Sequence, residues 1–291
     1  MSVAAELIKN LKGVLSPAQY LIECGWNPFE WQIKALNPVE LLLLTCNRQA
    51  GKSTVVSAKT AHKIKYYPNS LVLIITPTQS QSVEVMKKIM WFIGTDPHFP
   101  KTVIDNGLAK EFSNGSRILA LSGNEKAARG YSDPAVIILD EASRIPDEMF
   151  DALTPMTAGG NTEIIMMSTP YGKRGFFYNT YRYDMSCTKM EVVGQDILGE
   201  WKNEAEYIAA RAAIGVDACY SPRHTKTFLQ KELDRPNRPR RVFRQEYCGE
   251  FLEADDSVFK MEDILAAMQT EIRPIMDGED MYSNEVEVLD I

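Results

Sequence analysis

Five short apolar runs, each rich in Val, Ile or Leu and each ending in small, polar or turn residues, limit what this chain can fold into: residues 41–45, 71–76, 117–121, 136–139 and 164–167. Continuous apolar runs of this length suit strands buried on both faces, and such strands belong to parallel sheets covered by helices. Between the first two runs, residues 53–66 place Val55, Val56, Ala58, His62 and Ile64 at spacings suited to a helix packed on the sheet. Residues 80–93 repeat the strand-then-helix order after the second run. The alternation predicts an α/β fold with a mostly parallel sheet flanked by helices.

After about Gly194 the strand-like runs stop, and polar stretches with helical character follow at 201–214 and 225–233. Residues 234–241 carry two prolines among four arginines and read as a connector. The expected organisation is a core over residues 1–194, a small helical lid and linker over 195–255, and an acidic tail or the start of a further domain over 256–291. With 291 residues, 45% of them hydrophobic, the chain has enough apolar material for a sizeable core.

Composition narrows the function classes. No apolar run approaches the roughly 18 residues of a membrane span, and the first fifteen residues lack the pattern of a secretory signal, so a soluble intracellular protein is expected. The five cysteines are scattered without a CxxC pair, and the three histidines are isolated, which fits neither a disulfide framework nor a zinc site. A net charge of −7 is unlike the basic footprint of a constitutive duplex-DNA binder. The charge is uneven, however. Residues 223–244 hold eight Lys or Arg against Glu232 and Asp234, whereas residues 245–291 hold fourteen acids against Lys260 and Arg273.

The first apolar run leads directly into Cys46-Asn47-Arg48-Gln49-Ala50-Gly51-Lys52-Ser53-Thr54, and a predicted helix follows. Strand, loop and helix in that order are the context of a P-loop. Backbone N–H groups of residues such as Gln49, Ala50, Gly51 and Thr54 cradle phosphates, Lys52 reaches the terminal ones, and Ser53 ligates Mg²⁺. Cys46 stands where the general pattern has Gly. The run Val136-Ile137-Ile138-Leu139 ends in Asp140-Glu141. This order delivers one carboxylate, Asp140, to the Mg²⁺ shell and a second, Glu141, to polarise an attacking water. A strand followed by an acidic helix cap, with Glu141 facing solvent, is the other reading of the same residues. The two motifs on successive sheet elements point to nucleotide hydrolysis with ATP and Mg²⁺.

Together these residues resemble the ATPase half of the large terminase subunit of tailed bacteriophages, over roughly residues 28–259. In that family Arg-Gln commonly precedes Gly-Lys-Ser/Thr, as in Arg48-Gln49-Ala50-Gly51-Lys52-Ser53, and the first Gly is dispensable. The resemblance implies a P-loop NTPase fold of the RecA/ASCE-like kind. It implies that Phe29-Glu30-Trp31-Gln32 is an adenine-recognising segment with Gln32 reading the base, that Arg48 senses the γ-phosphate, and that Arg129, before Gly130, is an arginine finger inserted into a neighbouring subunit. Ser168-Thr169-Pro170 is similar to the motif that couples hydrolysis to DNA contacts in superfamily 2 helicases. Residues 243–251 and 256–259 look like the junction to an RNase H-like nuclease. Only about thirty residues follow Phe259, too few for that fold, so no nuclease site is expected here and the chain is either a motor-only piece or naturally short.

The implied activity is ATP hydrolysis driving duplex DNA into a preformed capsid in the host cytoplasm. The implied partners are double-stranded DNA, the portal protein, a small terminase subunit and further copies in a ring. Residues 223–244 are one candidate for DNA contact; contact with an acidic face of the next subunit and a merely solvated face are the other readings of the same arginines. Two alternatives stand beside this reading: a superfamily 2 helicase-like ATPase, which needs a second RecA-like domain, and a non-hydrolysing ATP-binding adaptor.

Overall fold

A computed structural model describes residues 11–122, 130–194, 204–223, 225–236 and 239–252. Three of the five apolar runs map onto the centre of one nine-stranded sheet, and the other two lie beside them. The strands are β1 (Leu41–Cys46), β2 (Leu71–Thr76), β3 (Thr102–Asp105), β4 (Ala109–Phe112), β5 (Arg117–Ser122), β6 (Val136–Asp140), β7 (Glu163–Ser168), β8 (Thr188–Gly194) and β9 (Val216–Ser221), in the spatial order β3-β4-β5-β2-β6-β7-β1-β8-β9. The pairings from β5 through to β9 are parallel, while β3, β4 and β5 pair antiparallel. The expected mostly parallel α/β architecture is what the chain adopts.

Successive side chains of a strand point to opposite faces, and the two faces of this sheet bury different helices. Leu42, Leu44, Val72, Ile74, Val136 and Ile138 pack with α1 (Pro17–Glu23), α2 (Glu30–Leu36), α3 (Lys52–Tyr66) and α4 (Gln79–Ile93). The intervening Leu43, Leu73, Ile75, Ile137 and Leu139 pack with α5 (Asp147–Leu153) and α6 (Gly175–Tyr183). Local signals set the helix starts. Ser16 Oγ accepts from Gln19 N at 3.2 Å ahead of Pro17 at the start of α1, and Thr78 Oγ1 accepts from Gln81 N at the start of α4.

The expectation that strands stop after Gly194 is corrected by β9, which pairs with β8 in parallel and lies within the stretch assigned to the helical lid. Strand β8 itself contains buried Lys189 and Glu191, which break up the apolar pattern. Glu191 is accommodated because Tyr181 and Tyr207 donate their hydroxyls to it at 2.7 and 2.6 Å and Arg211, on α7 (Glu204–Ala212), donates Nε at 2.8 Å. Among the described residues, helical structure beyond β9 consists of α8 (Lys226–Leu233) and α9 (Arg240–Tyr247), where Leu229, Phe243, Tyr247 and Cys248 are buried in a small cluster of their own.

Candidate functional site

Strand β7 lies between β1 and β6, so three C-terminal strand ends sit side by side: the loop after β1, Asp140-Glu141 after β6, and Ser168-Thr169 after β7. In open α/β sheets this edge is where ligands bind. Here it opens into a cleft of about 910 Å³, lined by residues 48–54, by Gln81, Glu84 and Lys88 of α4, and by Asp140, Glu141, Arg144, Thr169, Arg223, Phe228 and Glu246.

The loop is tied down on both flanks. Asn47 N donates to Val192 O on β8 and Arg48 N to Glu246 O on α9, both at 2.9 Å. Gln49 and Gly51 take positive φ of 61° and 112°, which turns the chain so that α3 begins at Lys52 and aims its opening N–H groups at the cleft, while Thr54 N turns back to Gly51 O at 3.1 Å. At Gly51 two constraints coincide, since its φ disfavours a side chain and a Cβ would lie 2.9 Å from Gln32 Nε2. Cys46, at the position usually held by Gly, is fully buried at the end of β1, and burial pushes its thiol pKa well up, so it packs as a neutral group.

Lys52 Nζ meets Glu141 Oε1 at 3.1 Å. Burial opposes the Lys52 charge, but the carboxylates of Glu141 and Asp140 outweigh it and hold the ammonium above the ordinary lysine pKa. Burial raises the Asp140 pKa, and the neighbouring Glu141 adds to this while Lys52 works against it. Glu141 sits at φ 54°, a left-handed conformation that a non-glycine residue holds at a cost. Its Oε2 accepts from Ser168 Oγ and Thr169 Oγ1, each at 3.4 Å, and Ser143 Oγ bridges Ser168 Oγ at 2.6 Å and Thr169 O at 2.9 Å. The alternative in which Glu141 merely faces solvent does not describe this side chain.

The remaining predicted residues are distributed differently. Gln32 is buried beneath the loop, where Oε1 accepts from Phe29 N at 2.9 Å and Nε2 donates to Gly51 O at 3.2 Å. Arg48 turns to Glu246, Nη1 to Oε1 at 3.0 Å. Arg129 lies outside the described residues. Within the basic stretch Arg223 reaches the loop, Nη1 to Gln49 O at 3.5 Å, and Arg244 pairs with Glu250 at 2.5 Å. Sequence reasoning gave no site role to Ser143, Arg144, Phe228, Glu246 or the α4 residues. Only their position in the fold brings them to the cleft, although Glu246 falls inside a stretch already singled out. Among the described residues no helix is long and apolar enough to cross a membrane.

A Gly-Lys-Ser loop between strand and helix, with a further strand separating it from the acid-bearing strand, defines a P-loop nucleoside triphosphatase fold. Within that class, the family model for the N-terminal part of the large terminase subunit, T4-like virus type, matches residues 44–266, and the chain belongs to this family. A probable large terminase subunit of Enterobacteria phage P7 is 24% identical over 155 residues, 47% of this chain and 30% of that protein. The chain thus matches less than a third of that relative's length. The large terminase ATPase domain of Thermus phage P74-26 superposes with a TM-score of 0.59 at 20% identity, covering 82% of this chain and all of that one. The large terminase of the thermophilic bacteriophage D6E in complex with ADP gives 0.52 at 10% identity over 77% of this chain and 54% of that one.

Proposed function

We propose that this chain is the ATP-hydrolysing motor part of a phage terminase, which moves duplex DNA into a preformed capsid. The observation that carries the reading is the juxtaposition of Lys52, Glu141, Ser168 and Thr169 at one sheet edge beside the loop. Relatives crystallised with ADP and ATP-γ-S support a nucleotide in that cleft.

The residues present fit a Mg²⁺–triphosphate pair. Mg²⁺ is bound through one or two protein oxygens with waters and substrate phosphates completing its shell. Ser53, opening α3, and Asp140, whose buried carboxylate is disfavoured as an anion without a counter-charge, would hold it. When bound, it would neutralise charge on the phosphates. Lys52 exchanges Glu141 for the terminal phosphates, and that exchange frees the Glu141 carboxylate to accept a proton from the attacking water. Ser168 and Thr169, bonded to Glu141, register its movement and pass it along β7. Arg48, released from Glu246, reports the γ-phosphate. Arg129 supplies a guanidinium to a neighbouring subunit's site, which ties hydrolysis to assembly of a ring.

The helical lid of this proposal is α8 with α9. Double-stranded DNA, a portal protein and a small terminase subunit are the proposed partners, in the host cytoplasm. The test is steady-state ATP hydrolysis at rising protein concentration, with Glu141→Gln and with Arg129→Ala mixed into wild type. A ring motor gives turnover that rises more than linearly, is abolished by Glu141→Gln and is poisoned by Arg129→Ala subunits. Linear activity indifferent to Arg129 returns the helicase-like reading, and Mg²⁺-ATP binding without hydrolysis returns the adaptor.

A further inference from the structure

Among the described residues, the cations that line the cleft are Arg48, Lys52, Lys88, Arg144 and Arg223. Oxygen atoms hold all but one of them. Arg48 meets Glu246 at 3.0 Å, Lys52 meets Glu141 at 3.1 Å, Lys88 lies 3.9 Å from Glu84, and Arg223 reaches the Gln49 carbonyl at 3.5 Å. Arg144 is the exception within that set: its guanidinium lies over the Tyr171 ring, Cζ 4.6 Å from the centroid.

The backbone on both sides of this contact is fixed. Glu141, at φ 54°, turns the chain out of β6 into a single 3-10 turn, Ala142–Arg144, in which Arg144 N donates to Glu141 O at 2.9 Å. Ala142 and Ile145 are buried on either side and anchor the turn in the core. Ser143 Oγ ties it to Ser168 Oγ and Thr169 O. Tyr171 follows Pro170 and precedes Gly172, whose φ of 100° bends the chain after β7. Both side chains are exposed, Tyr171 to 43%. The fold thus sets Arg144 beside Glu141 and Thr169, at the end of the cleft where the terminal phosphate is placed, and leaves its side chain able to rotate without moving the turn.

A cation–π contact at an exposed site is weak, whereas a guanidinium donates charge-assisted, often bidentate hydrogen bonds to phosphate. A phosphate within reach therefore draws Arg144 off the ring. We propose that Arg144 binds the terminal phosphate of the nucleotide held by its own chain, and that Tyr171, once released, carries that event to the segment after β7. The inference rests on the nucleotide reading given above. A diphosphate lacks the group that competes for the guanidinium, so Arg144 stays on the ring and Tyr171 tells the two nucleotides apart. The contact needs no second copy of the chain, which separates it from the role proposed for Arg129.

The experiment is equilibrium binding of two Mg²⁺-loaded probes to the full chain, ADP and the non-hydrolysable ATP analogue AMP-PNP. Arg144→Ala weakens AMP-PNP by about ten-fold or more, the size of one charged contact, and spares ADP. Arg144→Lys keeps the charge without the planar fork and recovers part of the loss. Tyr171→Ala removes the competitor for the guanidinium, so AMP-PNP affinity holds or tightens. Tyr171→Trp preserves the cation–π contact and adds a fluorophore, read as the difference from wild type. Its emission shifts with AMP-PNP, stays with ADP, and no longer responds once Arg144→Ala is added. The proposal is overturned if Arg144→Ala leaves AMP-PNP binding intact or weakens ADP equally. It is also overturned if Tyr171→Ala weakens AMP-PNP as Arg144→Ala does, because the pair then only braces the turn. Lys52→Ala separates the two layers, since AMP-PNP binding indifferent to Lys52 refutes the nucleotide site itself rather than the part of Arg144 in it.

Discussion

Lys52 and Glu141 are ion-paired across the cleft, Nζ to Oε1 at 3.1 Å, so the cation expected to grip phosphate and the acid expected to activate water hold each other. The pair keeps two charges satisfied at a partly enclosed edge, and it must open before either side chain can act on a substrate.

Glu141→Gln separates the two roles. The amide cannot serve as the general base, and steady-state phosphate release should fall by about 10²–10⁴-fold. Lys52 loses an anionic competitor for its ammonium, so nucleotide affinity should hold or tighten. Equilibrium binding measured beside turnover checks this, and a parallel loss of both would assign Glu141 to binding.

Asp140→Asn should trade function for stability. The Asp140 pKa is raised chiefly by burial, so the folded chain binds a proton there more tightly than the unfolded one. Its stabilising contribution is complete below the unfolded carboxylate pKa and is lost as pH rises through the raised folded value. At pH 7 the ionised group therefore works against the fold, and Asn should raise Tm in the absence of nucleotide. The same change should weaken Mg²⁺-dependent nucleotide binding by on the order of ten-fold or more, the size of one charged contact. Thermal melts with and without Mg²⁺-ATP measure both effects.

The five apolar runs correspond to β1, β2, β5, β6 and β7, and the two helices expected between and after the first runs are α3 and α4. These were legible because β1, β2 and β6 are buried on both faces almost throughout, and β5 and β7 keep the same apolar run. Strand β8 was not, since Lys189 and Glu191 stand in its interior, and the side chains that satisfy Glu191 come from the flanking helices α6 and α7 rather than from the strand itself. Strand β9, at the sheet edge, carries Asp217, which pairs with Lys34, so it reads as polar. At the site the same division holds. Lys52, Asp140, Glu141 and Ser168 belong to motifs with fixed spacing and could be read locally. Phe228 and Glu246 reach the cleft through the packing of α8 and α9, and no spacing in the sequence encodes that.

Breaking the Glu191 cluster should be costly. Glu191 is fully buried and Arg211 lies across from it at 2.8 Å. Arg211→Ala leaves a buried carboxylate without its counter-charge, and such losses amount to about 3–5 kcal/mol. Chemical denaturation should register the drop. Because α7 and the α6 end of the sheet are both anchored on Glu191, Tyr207→Phe should give a smaller loss, of about 1–3 kcal/mol.

His62 should make the fold acid-sensitive above the carboxylate range. The ring is buried on α3 beneath the start of the described chain, with Nε2 2.9 Å from Gly13 O and 3.0 Å from Val14 O. Burial, opposed by those carbonyls and aided by Lys59 and Lys63, depresses its pKa from 6.5 to about 4. The folded state holds the ring neutral where the unfolded chain would protonate it. The stabilising contribution is thus present above pH 6.5 and is lost as pH falls toward 4. Between pH 7 and pH 5 the loss should be about 2 kcal/mol, before most carboxylates titrate. His62→Gln, which retains an N–H donor for the carbonyls and cannot protonate, should flatten that slope. Urea denaturation at the two pH values measures it, and an equal acid loss in the variant would place the sensitivity elsewhere in the molecule.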